Sequence, residues 1–241
     1  MPPVSAPLAV RHLRAVRPLF FPSQEPESEK VPQSKRHHRI CELLVRVLLH
    51  ALGREHTIGC DQYVYFDGSN PRVCLAPDAF VKLGVPDSEF DSWKTWERGT
   101  PELAVEILSP SDSLEAWTLE EKLARYHALG VRELVCFDAD APQGQRIRAW
   151  DRVKDDLIER VVEQERTPCV TLPGFFWVVA PGNGQPAGLR LARDELGREV
   201  LPTPEEEALG EAERERAAKD AALAEVERLR AELRRNKPQR R

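Results

Sequence analysis

The sequence predicts a mixed α/β fold in which a β-sheet is flanked by helices, with a charged helix at the C-terminus. Three observations support this prediction. Hydrophobic patterns follow the order helix, three strands, helix, strand and further strands. Hydrophobic residues make up 41% of the chain, which is enough for a core. The length of 241 residues fits one large domain with appendages better than two equal domains.

An N-terminal arm precedes the first helix. Residues 1–34 contain seven prolines and no sustained periodicity, so we expect an extended or partly disordered arm. Apolar residues then recur at helical spacing, and Gly53 stands where a glycine often ends a helix. The pattern predicts a helix over residues 35–52. Its apolar positions are Ile40, Leu43, Leu44, Val47, Leu48 and Leu52.

Strand-like segments follow this helix. Residues 57–66 and 73–81 are separated by the turn sequence Asp-Gly-Ser-Asn-Pro at 67–71, which predicts a hairpin connection. Residues 102–108 alternate only partly between polar and apolar, which predicts a largely buried strand.

A second helix is predicted over residues 119–129, with Gly130 as its stop. We expect Tyr126 on this helix to be a half-buried packing residue. Residues 133–138 predict another buried strand. Further strands are predicted at residues 146–150, 157–162 and 175–179.

Beyond the main domain, which we place at residues 35–180, composition predicts a linker at 181–204 and a charged helical tail at 205–241. Apolar residues of the tail follow coiled-coil spacing over a short stretch, but the frame fails further upstream. The tail is therefore either a solvated, weakly associating helix or an oligomerisation coil. The basic last eight residues are either a solubilising tail or a contact with nucleic acid. The residues in the frame are Ala222, Val226, Leu229 and Leu233, and those that break it are Glu215 and Lys219.

Composition also excludes several classes of protein. Charged residues interrupt every long apolar stretch, whereas a membrane span needs about 20 apolar residues. The N-terminus lacks the order of regions found in a signal peptide, so we expect a cytoplasmic protein without a membrane partner.

Five cysteines form no CxxC pair, which predicts reduced thiols rather than disulfides or a zinc site. His37 and His38 have no third ligand at usable spacing, so we expect no metal role for them.

Net charge is unevenly distributed along the chain. The whole chain carries −5, but the first 46 residues carry +4 and residues 205–241 are neutral, which leaves −9 on residues 47–204. An acidic body argues against broad, nonspecific attraction to phosphate backbones. It remains compatible with an acidic metal site that meets nucleic acid locally.

The residues that indicate chemistry are Asp78, Glu106 and Lys122. Asp78 lies on or beside one predicted strand, Glu106 on a later strand with Glu102 close by, and Lys122 on the helix that follows. Carboxylate oxygens on neighbouring strands are suitable ligands for Mg²⁺. A nearby lysine can orient a water molecule or neutralise charge on a phosphate. Glu106 is unusual because a carboxylate inside an apolar strand needs a partner or a metal.

Three ordered blocks carry a resemblance to a known family. They read APDAFVKLGVP at residues 76–86, SWKTWERGTPELAVEILSPSD at 92–112 and EKLARYHALGVRE at 121–133. Together they resemble the Uma2 family, a bacterial group of restriction-endonuclease-like proteins in the PD-(D/E)xK nuclease superfamily. The resemblance covers about residues 38–165.

The resemblance implies a restriction-endonuclease-like α/β fold, in agreement with the predicted order of elements. It also implies that Asp78 and Glu106 hold a divalent cation, Mg²⁺ or Mn²⁺. The general superfamily pattern has a lysine two residues after the second acid, where this chain has Leu108. In Uma2-like sequences the lysine is on the next helix, where this chain has Lys122. That lysine reaches the site only if its helix packs across the strand.

The function implied by the resemblance is a metal-dependent endodeoxyribonuclease that acts on DNA. Two alternatives stay open: a catalytically silent member that binds nucleic acid or protein through its tail, and a hydrolase of another phosphate ester. A homodimer is expected because cutting both strands of a duplex is easiest with two active sites.

Glu42 is a further candidate for the metal site, since such folds often place a helical acid near the metal. The competing interpretation is that Glu42 is a solvated glutamate on the helix surface.

Overall fold

The structure is a computed structural model, and it describes residues 20–22, 34–108 and 118–235, with side chains up to residue 232. Four α-helices and a short 3-10 turn fall within these ranges. The helical segments are α1 (Lys35–Leu52), the 3-10 turn (Gly53–Glu55), α2 (Thr95–Arg98), α3 (Leu119–Leu129) and α4 (Pro204–Arg235). The strands are β1 (Thr57–Gly59), β2 (Val64–Tyr65), β3 (Cys74–Leu75), β4 (Ala79–Lys82), β5 (Trp93–Lys94), β6 (Leu103–Leu108), β7 (Glu133–Asp138), β8 (Ile147–Val153), β9 (Asp156–Arg160), β10 (Arg166–Pro168), β11 (Phe176–Gly182) and β12 (Gln185–Ala192).

A six-stranded mixed sheet forms the centre of the molecule, in the order β1-β4-β6-β7-β8-β9. Its neighbouring strands are antiparallel except for β6 and β7, which are parallel and are joined through α3. Two three-stranded sheets, β10-β11-β12 and β3-β2-β5, flank it. The mixed α/β class expected from the sequence is confirmed.

Helix α1 covers one face of the main sheet. Ser34 caps its N-terminus by accepting a hydrogen bond from the backbone N–H of His37, and Gly53 follows its last residue with a φ of 63°. The apolar side of α1 packs between the main sheet and the β10-β11-β12 sheet. Gly188 on β12 permits this contact, because a Cβ there would lie 2.7 Å from Leu43 Cδ2.

Helix α3 covers the opposite face. Thr118 and Glu121 form a reciprocal capping box at its N-terminus, and Gly130 ends it in the left-handed region. Tyr126 and Leu129 pack against side chains of the main sheet and of the β3-β2-β5 sheet. The predicted boundaries of both helices are confirmed, and the two helices lie on opposite faces of the main sheet.

The two strands predicted before residue 82 are each divided in the structure. Residues 57–66 form β1 and β2, because the chain turns at Asp61, whose φ is 63°. Residues 73–81 form β3 and the start of β4. The expected hairpin is present, since β2 and β3 pair antiparallel, but β1 and β4 belong to the main sheet. The predicted continuous strands are therefore wrong, and the predicted turn is confirmed.

The segment predicted as a linker, residues 181–204, contains a strand of the core. β12 pairs with β11 along most of its length, and its side chains Ala187, Leu189 and Leu191 are buried. Arg190 is buried as well and is paired with Glu206 of α4. This part of the chain is folded against α1, so the linker boundary is corrected.

The charged C-terminal helix is confirmed as α4. Its first turn is fixed to the body by contacts of Glu205 with Arg46 and of Glu206 with Arg190, while its described residues beyond Gly210 are exposed. Among the residues that the structure describes, no helix is both long enough and apolar enough to cross a membrane. The predicted N-terminal arm, apart from residues 20–22 and 34, and the last six residues lie outside the described ranges.

Candidate active site

Asp78 lies directly before β4, beside the middle strands of the main sheet. Antiparallel pairing joins Ala79 of β4 to Val105 of β6, so Asp78 and Glu106 occupy the next pair of facing positions. Asp78 is 6% exposed, and its Oδ2 accepts a hydrogen bond of 2.6 Å from the backbone N–H of Ile107. The local backbone therefore fixes the first predicted carboxylate beside the second.

Glu106 points from β6 towards α3 and is also 6% exposed. Its Oε2 accepts a hydrogen bond of 2.9 Å from Lys122 Nζ. Its Oε1 accepts a hydrogen bond from the hydroxyl of Tyr126. A carboxylate buried in an apolar strand costs free energy unless it is paired, and these two contacts provide the partners.

Helix α3 presents Lys122 and Tyr126 on one face because residues four apart on a helix are neighbours. The helix packs across β6, as the expected role of Lys122 required, so the structure brings Lys122 to Glu106. Tyr126 is fully buried and hydrogen-bonded, which corrects the expectation of a half-buried packing residue. Sequence reasoning missed its polar contact, although its spacing from Lys122 is a usable signal.

The electrostatics of this group are dominated by burial. Burial, with a smaller contribution from the neighbouring charge of Asp78, raises the pKa of Glu106 to about 7 against the lowering effect of Lys122. Burial, followed by the charge of Glu106, raises the pKa of Tyr126 well above its ordinary value. Lys122 and Tyr126 therefore do not fully stabilise the negative charge of an ionised Glu106 beside Asp78.

We expect Glu106 to make stability depend on pH when divalent cations are removed with EDTA. Because folding raises its pKa from 4.5 to about 7, its contribution is fully present below pH 4.5 and is lost as pH rises through about 7. Between about pH 5 and about pH 8, wild type should lose up to about 3 kcal/mol relative to Glu106→Gln, at about 1.4 kcal/mol per pKa unit. Urea unfolding at both pH values measures this difference.

The control for this measurement is Glu227→Gln, which changes an exposed glutamate of α4. This variant should follow the pH dependence of wild type. Parallel stability curves for wild type and Glu106→Gln would contradict the raised pKa.

His37 and Cys41 of α1 also face Asp78. His37 Nε2 lies 2.8 Å from Asp78 Oδ1, and Cys41 Sγ donates to the same oxygen at 3.7 Å. All three residues are buried, and their donor atoms lie within 4.8 Å of one another. The expectation that His37 lacks partners for a metal is wrong, because Cys41 follows four residues later on the same helix face. That spacing was the missed sequence signal.

Two other acidic candidates lie outside this group. Glu42 accepts hydrogen bonds from Arg46 at 2.7 Å and from Asn183 at 3.1 Å, on the partly exposed side of α1. Glu102 lies before the start of β6, where it contacts Lys82 and accepts a hydrogen bond from the backbone of Leu83. The structure therefore does not bring Glu42 or Glu102 to Asp78.

Comparison with protein families places the chain in a known group. The model of the family Uma2, described as "Putative restriction endonuclease", matches residues 26–180, which is more than half of the chain. The chain belongs to the Uma2 family. The matched region of this Uma2 protein contains Asp78, Glu106 and Lys122, and the resemblance seen in the sequence is confirmed.

A solved structure is similar to this chain over part of its length. A crystal structure described as a putative nuclease belonging to DUF820, from Anabaena variabilis ATCC 29413, is similar with a TM-score of 0.40 and 17% sequence identity. The similarity covers 58% of the Uma2 protein and 75% of the Anabaena chain. No curated protein matches the sequence.

The Uma2 site contains oxygen donors suited to a divalent cation. Asp78 and Glu106 place two carboxylates side by side in a buried position, and Lys122 supplies one positive charge against them. Burying like charges together is unfavourable unless cations balance them. Hard cations such as Mg²⁺ prefer carboxylate oxygens, so the donor set fits this class of ion.

Proposed function

We propose that the protein is a Mg²⁺-dependent endodeoxyribonuclease that hydrolyses the phosphodiester bonds of DNA, with Mn²⁺ as an alternative cation. The observation that carries the proposal is the contact of Lys122 with Glu106, beside Asp78, in one buried group. Membership of a family described as "Putative restriction endonuclease" supports the same reaction class. Asp78 and Glu106 are the proposed metal ligands.

Each residue of the group has a role that its contacts support. A bound divalent cation stabilises charge on the phosphate and lowers the pKa of water. Lys122 places a positive charge where negative charge builds on the phosphate oxygens during attack. The Tyr126 hydroxyl and the Ile107 N–H hold the carboxylates of Glu106 and Asp78 in fixed orientations.

Lys122→Met tests the role of the lysine. Removing the ammonium while keeping the length of the side chain should lower the rate of DNA cleavage by at least about 10²-fold, because one preorganised positive charge is lost. The measurement is cleavage of a fluorescently labelled DNA duplex with Mg²⁺ or Mn²⁺, beside an EDTA control.

The matched variant is Lys219→Met, which removes an exposed lysine from α4. It should cleave at the wild-type rate. Equal rates for Lys122→Met and wild type would remove Lys122 from the proposed machinery.

A second candidate function is binding of nucleic acid or protein through α4 by a catalytically silent protein. The exposed surface of α4 favours it, because Leu223, Val226 and Leu229 are between 42% and 55% exposed on that helix. If wild type does not cleave DNA but binds it, and Asp78→Asn binds equally well, this candidate replaces the first.

We also propose that the protein forms a homodimer. Two active sites would cut the two strands of a duplex, and the exposed apolar residues of α4 offer a surface for pairing. Sedimentation of the full chain measures the mass in solution, and a monomer at all concentrations would contradict the proposal.

A further inference from the structure

Three different donor atoms converge at the end of the candidate active site that faces α1. These are Nε2 of His37, Sγ of Cys41 and Oδ1 of Asp78. Each of the three residues is buried, with 6% or less of its surface exposed. A nitrogen, a sulfur and an oxygen donor are thereby brought together away from solvent.

The positions of these residues follow from the local fold. His37 and Cys41 lie one turn apart on the buried side of α1, which begins at the Ser34 cap three residues before His37. Asp78 lies before β4 and is held by the backbone of Ile107, so its Oδ1 is left to face the helix. Rigid elements on both sides position the donors.

Two of the three separations between donors are within about half an ångström of those in a tetrahedral metal site, and all three are within 4.8 Å. Bonds of about 2.0 Å to nitrogen and oxygen and about 2.3 Å to sulfur place neighbouring donors about 3.3–3.7 Å apart. The distance from Cys41 Sγ to Asp78 Oδ1 is 3.7 Å, which already fits. The 2.8 Å distance from His37 Nε2 to Asp78 Oδ1 must widen by roughly half an ångström to meet this spacing.

We propose that His37, Cys41 and Asp78 bind a transition-metal ion of the zinc class, at a site that shares Asp78 with the proposed Mg²⁺ site. Thiolate and imidazole donors favour such ions, whereas Mg²⁺ prefers oxygen donors alone. Binding replaces the thiol proton of Cys41, which is released to solvent, and the resulting thiolate balances one charge of the ion. The site does not depend on nuclease activity.

Titration of the full chain with Co²⁺ tests this site. Bound Co²⁺ should give a thiolate-to-metal charge-transfer band in the near ultraviolet, and added Zn²⁺ should remove the band by competition. In Cys41→Ser the band should be lost, and in His37→Gln the affinity for Co²⁺ should fall by more than about tenfold. Cys60→Ser and Cys136→Ser, which change two other free cysteines, are the matched controls and should keep the band.

A second measurement covers the case in which a variant folds poorly. Zn²⁺ should raise the thermal midpoint of wild type and of Cys60→Ser but not that of Cys41→Ser. Absence of the band in wild type, or its retention in Cys41→Ser, would overturn the inference. Mg²⁺-dependent cleavage without a Co²⁺ band would support the proposed function and refute this site. A Co²⁺ band without cleavage would support this site and contradict the proposed function.

Discussion

Replacing Asp78 with asparagine is expected to reduce DNA cleavage by about 10³-fold or more. The substitution removes one of the two proposed metal ligands, and a metal supplies several kcal/mol of transition-state stabilisation, at about 1.4 kcal/mol per tenfold in rate. The fold should persist, because the asparagine carbonyl oxygen can still accept the hydrogen bond from the Ile107 N–H. Cleavage rates of wild type and variant under the same Mg²⁺ concentration measure the effect.

The matched control is Asp91→Asn, which changes an exposed aspartate in the loop before β5. Its cleavage rate should equal that of wild type. If Asp78→Asn is correctly folded by circular dichroism and still cleaves within about threefold of wild type, Asp78 has no role of the size that metal ligation requires.

Replacing Glu133 with alanine is expected to destabilise the fold by about 3–5 kcal/mol. Glu133, at the start of β7, is fully buried and is paired with Arg160 of β9. It also accepts hydrogen bonds from the backbone N–H of Thr171 at 2.7 Å and from Trp177 Nε1 at 3.1 Å. The substitution would leave the partly buried Arg160, which keeps only Asp151 as a carboxylate partner, and two buried donors without Glu133.

Glu159→Ala is the control for this effect, since it breaks an ion pair with Arg148 in which both side chains are exposed. Its cost should stay below about 1 kcal/mol. Urea unfolding of both variants measures the two costs. Similar, small losses of stability would show that Glu133 does not join the main sheet to the β10-β11-β12 sheet in the way its contacts indicate.

Much of the fold could be predicted because its strongest signals are local. Periodic apolar residues and a terminal glycine defined α1 and α3, and largely apolar runs defined β6 and β7. β12 was missed because it contains proline, glycine and a buried arginine, which together resemble a loop. The terminal nitrogens of Arg190 donate there to Glu206 and to two backbone carbonyls, which are contacts that the sequence does not reveal.

The candidate site was predictable in its composition but not in its arrangement. Resemblance to a family pointed to Asp78, Glu106 and Lys122, whereas their proximity depends on how α3 packs across β6. Tyr126 and the pair His37 and Cys41 on α1 were missed, because a tyrosine or a cysteine at helical spacing is also a common core residue. Their polar contacts with Glu106 and Asp78 depend on how α1 and α3 pack against the main sheet, which the sequence does not show.

The measurement that tests the central claim most directly is the conversion of supercoiled plasmid to open-circular DNA by the wild-type protein. The assay compares a series of Mg²⁺ concentrations with an EDTA control and includes Asp78→Asn. The account predicts nicking that rises with Mg²⁺, stops with EDTA and is absent in the variant. Nicking that continues unchanged in Asp78→Asn, or a wild type that is inert with both Mg²⁺ and Mn²⁺, would contradict it.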